Sequence, residues 1–308
     1  MTPVPAPTAR TPDLLVRGLV RPHDLRVVLV EATDLARMGR MLHGLAPTSA
    51  AIFAEALSAG IVVAALQKED TRLNLHLQVD GPIAGLLVDA DTRGNVRGRV
   101  RQPQVNFPGD PLVGRRAALG GGGTLSVLRD LGGGEIYRGS VAVGPGTLTE
   151  HLRRWFEVSE QVASAFDVAL LPDGREPLGR VAAVLVQKLP EGDLAALERV
   201  RERIAGGALP DALARGLPPA GAAAAVAGEG FEVLEEQPIA YRCACSRERA
   251  RNAITALGRD GIAAVLAQPD GLRQVEIDCE FCRQHYVFDE AELRALAARL
   301  GTGGGASA

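Results

Sequence analysis

The sequence predicts an α+β protein with a mixed sheet-and-helix core domain, a helical linker and a small C-terminal domain. Three observations lead there. Strand-like and helix-like runs segregate along the chain instead of strictly alternating. One long apolar segment, Ala50–Leu66, broken only by Glu55, reads as a buried central helix. All four cysteines of the 308-residue chain fall between positions 243 and 282.

Residues 1–12 are Pro- and Thr-rich without an apolar run, as expected of a disordered tail and not of a signal peptide. Leu14–Val20 and Leu25–Val30 read as strands joined by the Arg21–Asp24 turn. Thr33–His43 has helical character, and a core helix follows Pro47 with Thr48 or Ser49 as its N-cap. Leu73–Val79 alternates apolar and polar residues, the mark of a half-buried strand. Ile83–Asp89 and Val96–Val100 complete a meander around Asp80-Gly81-Pro82 and Thr92–Asn95. Strands are expected again at Thr124–Leu131, between glycine-rich turns at 120–123 and 132–134, and at Tyr137–Val143. Thr147 and Glu150 form a capping-box pattern opening a helix to Glu157. Val168–Leu171 and Arg180–Leu189, around Pro172-Asp173-Gly174, end the core domain at residue 190.

Beyond Pro190 the composition changes. Asp193–Ile204 has one apolar helical side, and 206–230 is rich in Ala, Gly and Pro. Residues 191–237 are expected to be a loosely held linker, the alternative being a poorly packed surface helix pair. In 238–300, Ser246 caps a helix that Gly258 stops, and Asp260–Gln268 is a second short helix before Pro269-Asp270-Gly271. Leu272–Ile277 and His285–Phe288 are strands, and Asp289 caps a final helix. Residues 301–308 (GTGGGASA) form a second tail.

Composition removes several function classes. With 34 Lys+Arg against 37 Asp+Glu, no global basic field attracts nucleic acid or anionic lipid. Eleven aromatic side chains (Trp 1, Tyr 3, Phe 7) leave little for base stacking. Ala50–Leu66 is short for a membrane span and carries Glu55. The expected compartment is therefore the reducing cytoplasm, where clustered cysteines bind metal or perform redox chemistry.

The cysteines stand as Cys243-Ala244-Cys245 and Cys279-Glu280-Phe281-Cys282. Thiolate is a soft ligand suited to Zn²⁺, which accepts four sulfurs in a tetrahedron. Two pairs with none left over point to one four-sulfur zinc site per chain, in a zinc-binding domain too small to hold a core without its metal. His285, three residues past Cys282, is read as a strand residue because four sulfurs already fill the site. Zinc-held thiolates are also nucleophiles toward peroxide or hypochlorous acid, so the site can serve as a static staple or as a switch.

The paired spacing, with Val275–Cys282 followed by Tyr286 and Phe288, resembles the 33-kDa heat-shock protein family, the redox-regulated molecular chaperones. Leu15-Val16-Arg17-Gly18, Asp80–Gly85, Val88–Asp91, Gly94–Gly98, Tyr137-Arg138-Gly139 and Ser159-Glu160-Gln161 are similar to its core signatures. The resemblance implies an ATP-independent holdase, not an enzyme, for unfolded or partly folded client proteins. In the reduced state Cys243, Cys245, Cys279 and Cys282 hold zinc and the linker is docked. Oxidative stress then forms disulfides Cys243–Cys245 and Cys279–Cys282, releases zinc, unfolds the redox-switch domain and linker, and favours a homodimer. Ala220–Gly228 is less charged than the linker this family implies.

Two rivals compete. A nucleic-acid-binding zinc module needs a basic excess, yet 239–300 holds nine arginines and nine acidic residues. A thiol-disulfide oxidoreductase would use the same cysteine pairs catalytically. Other enzymes lack support: no Lys-Ser/Thr follows Gly120–Gly123, and Asp89, Asp91 and Asp130 read as turn carboxylates.

Overall fold

The first elements are β1 (Leu14–Val20), β2 (Leu25–Glu31), α1 (Thr33–His43) and α2 (Pro47–Ala64). The meander β3 (Arg72–Val79), β4 (Gly85–Asp91) and β5 (Asn95–Val100) follows, then α3 (Pro111–Leu119), β6 (Gly123–Asp130) and β7 (Ile136–Val143). Next, α4 (Leu148–Trp155) runs into a π-helical turn at Phe156–Glu160, before β8 (Ser164–Asp173) and β9 (Glu176–Lys188). Helices α5 (Leu194–Ala205), α6 (Ala208–Ala214) and α7 (Pro219–Ala227) lead to β10 (Phe231–Pro238) and β11 (Ala240–Tyr241). The chain ends with α8 (Arg247–Thr255), α9 (Gly258–Leu266), β12 (Gln274–Asp278), β13 (His285–Asp289) and α10 (Glu290–Gly301). This computed structural model describes residues 13–67, 71–130, 136–174, 176–267 and 274–301. The expected tail at 1–12, the second tail beyond Gly301, and the turns at 132–134 and 269–271 lie outside the described residues.

Two units form, Met1–Arg242 and Cys243–Ala308. In the first, one sheet has the order β10-β1-β2-β9-β8 and the other β11-β5-β4-β3-β6-β7. Helix α2 lies among them, and 89% of it is buried. It is the one helix among the described residues long and apolar enough to cross a membrane, yet its apolar faces meet protein. Period-two alternation gives β9 two buried faces. Val181, Ala183 and Leu185 join the α2 cluster, while Ala182, Val184 and Val186 join a second cluster on the opposite face.

That second face corrects one expectation for most of the linker: α5–α7, residues 194–227, are packed, not loosely held, whereas β10 is paired with β1 but largely exposed. Leu197 and Val200 of α5, Leu209 and Leu213 of α6, and Ala222 and Val226 of α7 are buried against Val16, Leu25, Val27, Leu29 and Val184. The bland Ala220–Gly228 stretch has a physical use here. With Ala222, Ala223 and Ala227 buried, α7 has small side chains where its backbone approaches β1 and β2.

Local differences are equally explicable. Thr48 and Ser49 do not cap α2; Ala46 does, with Pro47 in the first helical position. Instead, Thr48 Oγ1 accepts from Phe107 N at 2.9 Å and Ser49 Oγ donates to Gln102 O at 3.0 Å, fastening the following loop. β4 starts at Gly85 because Ala84 and Gly85 have φ of +56° and +135°. α8 ends at Thr255, and Gly258 (φ +71°) opens α9. The Thr147–Glu150 capping box is present with both bonds. Residues 238–242 pack on the first unit: β11 runs parallel to β5, and Tyr241 Oη donates to Gly98 O at 2.9 Å. The boundary between units therefore falls after Arg242.

Candidate metal centre

Cys243 and Cys245 lie just before α8, whose Ser246 side chain accepts from Arg249 N at 3.2 Å and fixes where the helix begins. Cys279 and Cys282 occupy the turn joining β12 to β13, which pair from Gln274↔Asp289 to Asp278↔His285. Cys279 N donates to Gln284 O at 2.9 Å, and Arg283 N donates to Cys279 O at 2.8 Å. Arg283 has φ +60°, completing a knuckle that turns both sulfurs to one side.

All four predicted sulfurs converge, each within 4.8 Å of the others. Cys243 Sγ lies 3.6 Å from Cys279 Sγ, and Cys245 Sγ lies 3.2 Å from Cys282 Sγ. All four are free thiols. A tetrahedral Zn²⁺ with bonds of about 2.3 Å would separate its sulfurs by roughly 3.8 Å, so this cage is metal-sized. Its electrostatics agree: burial pushes Cys279 up and, with neighbouring thiols adding to it, pushes Cys282 up to about 12. Sulfurs crowded this closely ionise together only around a cation.

Tyr286, named above only among the residues that carry the resemblance, also reaches the cluster. Its Oη donates to Cys245 Sγ at 3.2 Å, a bond that would orient and polarise a metal-bound thiolate. Its position on β13 opposite Ile277 was the available signal, because a strand beside a metal knuckle brings alternate residues to the site. His285 is engaged elsewhere: its Nδ1 is 2.7 Å from Asp278 Oδ1.

The rest of this unit has a small core of Ala250, Ile254, Ile262, Phe288, Leu293 and Leu296. Arg247 stacks 4.5 Å from the Phe288 ring centroid and pairs with Glu292 at 2.8 Å. Glu292 and Asp289 form a capping box at the start of α10.

The other candidate loops are already occupied by protein groups. Asp80 Oδ1 accepts from Gly121 N at 2.9 Å and Gly122 N at 3.0 Å, so a carboxylate fills the place of a phosphate. Asp89 pairs with Arg97 at 2.8 Å, and Asp91 accepts from Arg93 N and Asn95 N at 3.0 Å each.

The family model described as Hsp33 protein matches residues 13–289. The "33 kDa chaperonin" of Geobacter sulfurreducens is 33% identical, the match covering 94% of this chain and 96% of that protein. The protein of the same name from Bacillus subtilis is 31% identical over 92% of this chain and 98% of its own length. Among solved structures, the crystal structure of the 33 kDa chaperonin (heat shock protein 33 homolog) from Thermotoga maritima superposes with a TM-score of 0.83. It is 26% identical, covering 93% of this chain and 98% of that one. With the sheets, the helices and the four converging sulfurs all in place, the chain belongs to the Hsp33 family of chaperones.

Proposed function

We propose that this protein is a redox-regulated, ATP-independent holdase whose reduced form carries one Zn²⁺ on Cys243, Cys245, Cys279 and Cys282. The observation that carries this reading is the convergence of the four sulfurs within 4.8 Å. Bound zinc would hold all four as thiolates and tie the start of α8 to the β12–β13 knuckle. Oxidation of each cysteine pair gives two electrons to one peroxide. An S–S bond forms, the O–O bond breaks, and two protons complete two waters. Disulfide sulfur is a poor zinc ligand, so the ion leaves.

The pairing follows the sequence neighbours, Cys243 with Cys245 and Cys279 with Cys282. Across the two pairs, Cys243 lies 3.6 Å from Cys279 and Cys245 lies 3.2 Å from Cys282, sulfur to sulfur. Either of those bonds would close a loop of more than 30 residues and restrain the unfolded state by about 3–4 kcal/mol, stapling the domain shut. Bonds between sequence neighbours close minimal loops and leave it free to open.

Once the domain unfolds, Cys243, two residues past Tyr241, no longer continues into folded chain. Release of β11, β10 and then α5–α7 would uncover Val16, Val20, Leu25, Val27, Leu29, Val184 and Val186. A contiguous apolar face of that kind binds unfolding clients, or a second copy as a homodimer. A reducing cytoplasm would keep the switch closed until oxidative stress.

One sample tests the reading: reduced protein treated with hydrogen peroxide at mildly elevated temperature. Zinc release to a chromogenic chelator and light scattering of a heat-denatured client are followed together. Expected is loss of one zinc per chain with onset of stoichiometric suppression of aggregation. Equal suppression by reduced and oxidised protein would overturn it. Catalytic turnover of thiol substrates without aggregation suppression would instead mark a thiol-disulfide oxidoreductase.

A further inference from the structure

The apolar contact between α5–α7 and the sheet is not the only thing holding those helices. At the end of β2, Glu31 is 1% exposed, and on β9 Arg180 faces it. Arg180 Nε donates to Glu31 Oε1 at 3.2 Å and Nη2 donates to Glu31 Oε2 at 2.8 Å, a two-pronged pair. Thr33 Oγ1 donates to Glu31 Oε1 at 2.8 Å and accepts from Val181 N at 3.0 Å, fixing the carboxylate to both strands. The guanidinium then reaches outward. Nη1 donates to Leu213 O at 2.9 Å and Nη2 donates to Leu217 O at 2.9 Å. Leu213 lies in the last turn of α6, and Leu217 immediately precedes Pro218, the N-cap of α7.

We propose that Arg180, oriented by Glu31, is a positioning residue that latches the joint between α6 and α7 onto the core sheet and sets how readily those helices release. The geometry separates the roles of the two ends. The Glu31 end is entirely within the core, so undocking leaves it intact and requires no new charge to be buried. The outer end bonds the Leu213 carbonyl at the negative pole of α6, which also accepts from Gly216 N at 2.9 Å, and the Leu217 carbonyl in the joint just before the N-cap of α7. Apolar packing alone would let the joint slide, whereas a planar guanidinium with fixed donor directions admits one register. Arg203 makes a similar pair of bonds to Val226 O and Ala227 O, but from α5, so it holds α7 to α5 and not to the sheet.

As a release control this rests on the proposed holdase reading; as a docking contact it does not. The test uses full-length, reduced, zinc-loaded protein with Arg180→Met combined with Glu31→Gln, so that no carboxylate is left buried without its counter-charge, and with Arg180→Lys and Glu31→Gln alone. Hydrogen exchange is measured for peptides over 208–227, α2 and β12–β13, with zinc content read in parallel. Two lost charge-assisted bonds correspond to an increase of roughly a hundredfold or more in opening over 208–227. Arg180→Lys restores part of the protection, while α2 exchange and zinc content remain at wild-type levels. Unchanged exchange over 208–227 in the Arg180→Met, Glu31→Gln double variant, or equal loss across α2, overturns the latch. If exchange rises but the reduced variant fails to suppress client aggregation, the latch stands and the face it covers is not the client surface.

Discussion

Replacing Phe288 with alanine tests whether zinc binding and folding of the C-terminal unit are one event. Phe288 is 0% exposed and sits at the centre of a core of six buried residues, under the Arg247 guanidinium. Phe→Ala truncations cost about 3–5 kcal/mol, and so small a core, able to collapse partly, belongs near the lower figure. If the unit folds only around its ion, that loss transfers undiminished into the apparent zinc affinity. About 3 kcal/mol corresponds to weakening by roughly a hundredfold or more. The assay is competition between reduced protein and a chromogenic chelator, beside a thermal melt of the first unit. Expected is the hundredfold weakening with an unchanged melt for Met1–Arg242. Zinc affinity within threefold of wild type would refute the coupling, because the site would then be preformed independently of the core beneath it.

Removing one hydroxyl, in Tyr286→Phe, deletes the bond to Cys245 Sγ and should weaken zinc binding about 10- to 100-fold by the same chelator assay, without unfolding the core domain. In β1, a Cβ on Gly18 would lie 2.4 Å from Glu232 O and 2.5 Å from the Phe231 ring. Gly18→Ala should therefore loosen β10 selectively, seen as faster exchange over Phe231–Pro238 with β2 and β9 unaffected. Buried Glu55 has its pKa pushed up to about 7 by desolvation, against the lowering effect of Arg115 and with Asp167 and Glu150 adding to the rise. A carboxyl whose folded pKa is raised binds its proton more tightly in the native state, so its contribution to stability falls as pH rises from about 4.5 through 7. Glu55→Gln should flatten that part of the pH profile in denaturant titrations; an unaltered slope between pH 5 and 8 would remove Glu55 as its source.

The sequence made the metal site more legible than the scaffold around it. Four soft ligands in two close pairs carry their chemistry in residue type and spacing, so convergence could be expected before any strand was placed. Strict alternation in Leu73–Val79 and the Thr147–Glu150 box were legible because each is a local pattern with one physical cause. Helix α3 was not anticipated, although Asp110 caps it by accepting from Leu112 N and Val113 N and Pro111 opens it. Its Arg115-Arg116 pair and few buried residues give it no apolar stripe to read. Residues 191–237 misled for a different reason. A helix of alanines packed on a sheet and an unstructured Ala/Gly tract have nearly the same composition, and the difference lies in Val27 and Val184, far away in sequence.

On the proposed holdase reading, the two units would differ in what zinc does for them, and this sets an order of events. Among the described residues the C-terminal unit has six buried apolar side chains beside the four-sulfur cluster, so losing a bound ion would remove much of its stability. Nothing comparable holds for α5–α7. Leu197, Val200, Leu209, Leu213 and Val226 are at most 1% exposed against the sheet, and Arg180 anchors their joint independently of any cysteine. In the chain between α7 and Cys243, β10 is the weakly held element: among the described residues it pairs only with β1, is largely exposed, and is tethered by Arg17 to Glu235 and Gln237 at 2.9 and 2.8 Å. Zinc release alone should therefore free β11 and β10 while α5–α7 stay docked, until moderate heating weakens the remaining contacts. Exchange measured on peroxide-oxidised protein at low and at elevated temperature separates the stages. Expected is early loss of protection over 231–241, with 194–227 following only on warming. Simultaneous loss in both segments at low temperature would mean that the helices depend on the zinc site directly.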